Sequence, residues 1–436
     1  MITNRIATLL IGAAFATAAL AQKPVVITGG KLLTVSHGTI EDGVLVLQGG
    51  KITAVGKAGA VSVPHDATVI DAKGMTVYPG LIDPDTTLGM VEVGSDKNAR
   101  DLNESSDEIM PHMHVADAFH AETVLIPVAR LNGVTNAVVA PGTDDSLSGQ
   151  DAFIQLAGKD RDAMILSRDA ALSLNFGAEQ RRRGAKAAYP GTRMGLITQL
   201  RQSLLDAQQY EASLAADTKK PKKEGETPTP AKRDLKLEAL LPYLHGEKPV
   251  VVQVTEAYEA ETVMKVAQEF HLKVVLKGMT RTQDIVDEVA SWKVPVIFGP
   301  IYELPRPDER FDAVFAMPAQ LAKRGVKVAL MSSDAVGAST GPGSNFGVRN
   351  LPYAAGFAAA YGLPYDEALK AVTLNVAEIY GVADKLGSLD VGKTANVVIA
   401  NGDPLDVRTD VKQVFIDGVA QPMVSRQTQL RDEYSK

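Results

Sequence analysis

At 436 residues the chain is too long for one small domain and suits a barrel-sized unit with an accessory module. Hydrophobic residues at 45 % and charged residues at 22 % are ordinary for a soluble globular protein. A formal net charge of −7 argues against nucleic acid as a partner, since that binding needs a basic footprint.

In chain order, the first residues read as an export signal. Arg5 supplies a positive start, ATLLIGAAFATAAL an apolar core, and Ala19-Leu20-Ala21 a small-residue cleavage site before Gln22. The apolar run is short for a membrane span, and no later segment is long enough to be one. The chain has no cysteine, so neither a lipid-anchoring thiol nor a disulfide is available. The expectation is an exported, periplasmic protein whose residues 1–21 are removed.

Residues 22–76 alternate as short strands in PVVITGGKLLTV, GVLVLQGGKITAVG and ATVIDAKGMTVYP, with Gly-Gly turns at 29–30 and 49–50. The same rhythm returns within 380–425, in LGSLDVGKTANVVIANGDP and VKQVFIDGVAQ. Neither piece can bury a core alone, which predicts one composite β-sandwich domain built from both ends of the chain. Between them, over 77–379, Val-rich strand candidates alternate with amphipathic helices: TNAVVAPG, KPVVVQVT, LKVVLKG, VPVIFGP and VKVALMSSD. That alternation predicts a parallel sheet covered by helices, and its length fits a TIM-type (β/α)8 barrel with chemistry at the carboxyl ends of the strands. A doubly wound open sheet is the alternative, although no G-x-G-x-x-G follows an early strand. The Pro-, Lys- and Glu-rich stretch 217–234 reads as a flexible insertion, and RRR at 181–183 as a solvated charge run.

VYPGLID (77–83), GVTNAVVAPGTDDSLSGQ (133–150), YPGTRMG (189–195), RDLKLEALLPYLHGEKPV (233–250), VRNLPYAAGFAAAYGLPYDEALKAVTLN (348–375) and TLNVAEIYGVADKLGSLDVGKTANVVI (373–399) together resemble the amidohydrolase superfamily, in its imidazolonepropionase-like branch. The resemblance covers nearly all of the mature chain. It implies a hydrolase of C–N bonds in amide or peptide-like compounds, with a divalent metal, zinc or manganese, as cofactor. Such a metal lowers the pKa of a bound water until it becomes a nucleophile near neutral pH. The family pattern takes its ligands from an H-x-H after the first barrel strand, a carboxylated Lys or a Glu after the fourth, a His after each of the fifth and sixth, and an Asp after the eighth.

Matched residue by residue, those positions hold Asp85 and Thr87, then Ser173, then Gln253 with Thr255 two residues on, then Lys277 or Gly278, and finally Asp334. Only Asp334 is retained, where the family's Asp takes the proton of the water and passes it to the leaving nitrogen. Asp85 and Asp334 are weak metal candidates, and the set is poor for zinc, which favours imidazole and thiolate. Lys277 beside Asp334 is a candidate metal-free catalytic pair. Arg349 could clamp a substrate carboxylate or make a structural ion pair. PGTDDSLSGQ (141–150) reads as a substrate-facing loop or a plain turn, and GASTGPGSNFG (337–347) as a lid or a loose loop. His112-Met113-His114, followed by His120, is itself an H-x-H, read as surface or substrate-facing rather than ligating, while His37, His65, His245 and His271 fall at turns or helix ends. Two functions follow: a hydrolase with an altered site, or a non-catalytic binding subunit. The partners expected are a small-molecule ligand and either a second copy or an active homologue in an oligomer.

Overall fold

The computed structural model describes residues 23–92, 96–104, 106–176, 189–219, 233–303, 305–307, 309–332 and 347–435. The proposed signal peptide, most of the 217–234 insertion, nearly all of the 337–347 loop and Asp334 lie outside them.

The two ends of the chain share one sheet. Strands β1 (Val25–Leu33), β2 (Thr39–Gln48), β3 (Lys51–Lys57), β4 (Thr68–Asp71) and β5 (Thr76–Pro79) come from the beginning. Barrel strands β6 (Leu81–Thr86) to β13 (Val328–Leu330) intervene, and β14 (Val397–Ala400), β15 (Val411–Ile416) and β16 (Val419–Ala420) return from the end. β14 pairs antiparallel with β5, so Val397 faces Pro79 and Ile399 faces Val77. Ile27, Leu45, Ile52, Val77, Val397 and Phe415, from six strands, then bury one core that neither end fills alone. This is the composite β-sandwich predicted from the alternation.

The barrel sheet holds β6, β7 (Val134–Val139), β8 (Leu147–Gln155), β9 (Ile165–Asn175), β10 (Val250–Glu256), β11 (Val274–Arg281), β12 (Val296–Phe298) and β13 (Val328–Leu330), hydrogen-bonded in chain order. The expected eight strands are present, but β8 runs antiparallel to both neighbours. Its connection from β7, residues 140–146, is too short for the crossover a parallel strand needs, whereas an antiparallel partner accepts a short turn. The PGTDDS turn therefore re-enters the sheet as a hairpin. The order ends at β13 and β6, and that seam is bridged by side chains: the Ser332 hydroxyl and amide both donate to the buried Asp83 carboxylate. Ile82, Val138, Phe153, Ala171, Val251, Val275, Ile297 and Ala329, one from each strand, meet in a single apolar layer inside the barrel. Tyr380 and Ile379 pack beneath it, and the Tyr380 hydroxyl donates to the Pro84 carbonyl at 2.8 Å. Among the described residues no helix is long and apolar enough to cross a membrane.

Candidate functional site

Side chains alternate along a strand, so the residue two places beyond each member of the apolar layer faces the same interior. Two residues past Ala171, Val251 and Val275 stand Ser173, Gln253 and Lys277; on the antiparallel β8, Asp151 precedes Phe153 by two. A polar layer thus sits directly on the apolar one, at the carboxyl ends of the parallel strands. Register confirms the neighbours: Ser173 pairs with Val251, and Gln253 with Lys277. On the far side the equivalent positions are Gly299 and Met331, which are small or apolar.

The layer is organised around a buried cation. Lys277 Nζ lies 2.8 Å from Asp85 Oδ2, with only 4 % of the lysine side chain and 14 % of the aspartate side chain exposed. Asp85 reaches inward because the β6 register shifts between Asp83 and Thr86. Ser173 Oγ donates to Asp151 Oδ1 at 2.7 Å, while Asp151 Oδ2 is buried without a partner. Burial pushes the Asp151 carboxyl up to about 7, opposed by the Ser173 hydrogen bond, and its charge feels both Asp85 and Lys277. Burial likewise raises Asp83 to about 7, against hydrogen bonds from Ser332 and the Asp85 amide. An ammonium among carboxylates is a stable arrangement only because their charges partly cancel within the low-dielectric interior.

Gly278 adjoins Lys277 with φ at +96°, and a Cβ there would stand 2.4 Å from the Val254 carbonyl oxygen and 2.6 Å from Gln253 Nε2. Its missing side chain lets β10 and β11 close over the glutamine. Gly278→Ala is expected to cost roughly 2–5 kcal/mol through backbone strain and overpacking, read as a fall in the denaturation midpoint.

The sequence-derived candidates are brought together only in part. Asp85, Ser173, Gln253 and Lys277 share the layer, and Thr87 and Thr255 lie at the ends of β6 and β10 just above it. The Thr255 amide is used structurally, donating at 2.8 Å to Glu259 Oε2, the oxygen that also accepts from the N-cap Glu256 amide of helix Ala257–Phe270. Lys277 pairs with Asp85; Asp334, proposed as its partner, is outside the described residues. Arg349 is exposed, and its carbonyl accepts from Asn132 Nδ2 at 2.7 Å beside the residues that lead into β7, away from the strand ends carrying Asp85. His112, His114 and His120 do not converge: His114 Nδ1 lies 3.3 Å from the Arg168 carbonyl and His120 Nδ1 3.3 Å from Glu92. His37, His65, His245 and His271 are exposed. The PGTDDSLSGQ loop is held inward by Asn175, whose amide donates to the Asp145 carbonyl and to Ser148 Oγ.

Asp151 and the Asp83–Ser332 seam escaped the sequence reading. The available signal was an Asp inside the apolar run of SGQDAFIQL, where a buried charge needs a reason.

Comparison with known proteins agrees with this fold. The amidohydrolase family model matches residues 239–423. The solved amidohydrolase from Thermotoga maritima superposes with a TM-score of 0.80 at 27 % identity, covering 91 % of this chain and 99 % of that one. These likenesses support the amidohydrolase superfamily. Within that superfamily, the imidazolonepropionase of Brevibacillus brevis is 26 % identical over 386 residues, 83 % of this chain and 84 % of the relative. The amidohydrolase tasK of Hapsidospora irregularis is 26 % identical over 398 residues, and this chain spans only 40 % of its length.

The superfamily implies a divalent metal, and the described residues do not fit one. A lysine ammonium has no lone pair to give, Ser173 spends its hydroxyl on Asp151, and Gln253 offers an amide. Among the described residues no three His, Cys, Asp or Glu side chains gather as a ligand set. A divalent ion about 4 Å from the ammonium would meet a repulsion of about 8 kcal/mol at an effective dielectric of 20, twice the value for unit charges.

Proposed function

We propose that the protein is an exported, hydrolase-like enzyme that acts on the C–N bond of a small cyclic amide or peptide-like compound at the carboxyl ends of its barrel strands. The observation that supports this reading is the Asp85–Lys277 pair, a carboxylate and a cation side by side at the position where such barrels carry their chemistry. In this scheme the ligand's carbonyl oxygen lies on the Lys277 ammonium, which stabilises the negative charge that develops there. Asp85, the more open of the two, takes a proton from water as its oxygen attacks the carbonyl carbon. The same proton passes to the departing nitrogen as the C–N bond breaks, leaving a carboxylic acid and an amine. Water keeps its bulk pKa near 15.7 without a metal, so slow turnover is expected, not the rate of a metal enzyme.

The test is a panel of dipeptides and cyclic amides incubated with mature protein taken from the cell envelope, with products read by mass spectrometry. New acid and amine products, and an intact mass that begins at Gln22, are expected. A protein that keeps residues 1–21, or that turns over nothing on the panel, contradicts the reading.

The lack of a metal-ligand set among the described residues supports a second reading. A chain of this size could act as the binding subunit of an assembly with an active homologue. The native mass of the protein isolated from its own cells separates the two, since the subunit reading requires a second, different chain.

A further inference from the structure

We propose that the Lys277 ammonium is the built-in cation of this barrel: held by Asp85 and within electrostatic reach of Asp151, it takes the place of a divalent ion and receives a carbonyl or carboxylate oxygen of the ligand. The argument starts from position. Lys277 follows a member of the apolar interior layer by two residues and ends in the polar layer, so its stem runs up the barrel wall and its charge sits near the axis. A lysine this buried needs a reason, since such side chains are almost never enclosed unless paired. Asp85 is the pairing group, reaching across from the first barrel strand to the sixth in chain order along the sheet.

Charge balance makes the same point. Asp85 and Asp151 are carboxylates on β6 and β8, separated by β7 alone, and the Lys277 charge on β11 acts on both. Ser173, which could otherwise face an ion, is turned to Asp151. Gln253 is packed over Gly278, where no side chain fits, so its amide is fixed next to the cation. An ammonium offers three N–H donors, of which Asp85 takes one. A ligand oxygen is the acceptor that suits another; a ligand amine or a metal cation is repelled.

This inference concerns the same site as the proposed hydrolysis but does not depend on it, because its test reads metal uptake and not turnover. Purified mature protein is analysed for bound metals, and its melting temperature is recorded with and without MnCl2 and ZnCl2. Wild type and Lys277→Arg are expected to carry far less than one ion per chain and to shift by less than about 1 °C with either salt. Lys277→Met frees Asp85 and Asp151 for a hard cation, and a rise of roughly 3–6 °C at saturating Mn²⁺ is expected. Stoichiometric metal in the wild type overturns the inference, as does a folded Lys277→Met protein that is indifferent to Mn²⁺. If that variant does not fold, wild type and Lys277→Arg decide the matter through their metal content.

Discussion

Lys277→Met is expected to lower stability by about 3–5 kcal/mol, the usual cost of removing one partner from a buried ion pair. The loss comes less from the attraction itself than from leaving Asp85 enclosed without a counter-charge, with Asp83 on its own strand and Asp151 two strands away. The double variant Asp85→Asn with Lys277→Met is therefore expected to recover much of that loss, because neither charge is then stranded. Chemical denaturation of the single and double variants at pH 7 measures this. A single variant as stable as wild type would mean that the pair is solvated and not the electrostatic centre described above.

The second large effect is a pH dependence at the barrel seam. Asp83 is fully buried, and its carboxyl is raised from 3.8 to about 7 by burial, ahead of the opposing Ser332 and Asp85 hydrogen bonds. A raised carboxyl binds its proton more tightly in the folded chain, so folded protein holds more protons than unfolded between about pH 4 and 7. Stability from this group is thus complete below the unfolded value and is lost as pH rises through the folded one. The full penalty above pH 7 is on the order of 4 kcal/mol, at 1.36 kcal/mol for each pKa unit. Asp83→Asn removes the titration while its amide can still accept from the Ser332 amide and meet the Ser332 hydroxyl. The variant is expected to match wild type near pH 4 and to exceed it increasingly up to about pH 8, beyond which the gap is constant. Melting curves of both proteins across that range supply the comparison, and a gap independent of pH would place the charge elsewhere.

Much of the architecture was legible because its signals are local. The GG turns and alternating strands at both ends, and the Val-rich runs between them, follow from period-two burial and from the need of each half-sheet for a partner. The PGLID strand and the C-terminal signature carried the superfamily. The antiparallel β8 was not legible: its first half, LSGQ, is small and polar and reads as part of a loop, and its direction is set by the short turn before it.

The site was legible as a set of positions but not as a set of partners. Asp85, Ser173, Gln253 and Lys277 were placed by motif, and they do share one layer. That Lys277 pairs with Asp85 depends on barrel closure, which brings residues 192 positions apart into contact. Asp151 became visible only when β8 turned its interior face toward Ser173. Arg349 looked well placed by its spacing after β13, yet the fold puts it beside Asn132.

The most direct test of a barrel centred on its own ammonium is amide hydrolysis by the mature protein after exhaustive chelation, compared with Lys277→Met under the same conditions. Turnover that survives chelation and disappears in the variant is the predicted result. Turnover that appears only when zinc or manganese is added back, or that persists without Lys277, would contradict it.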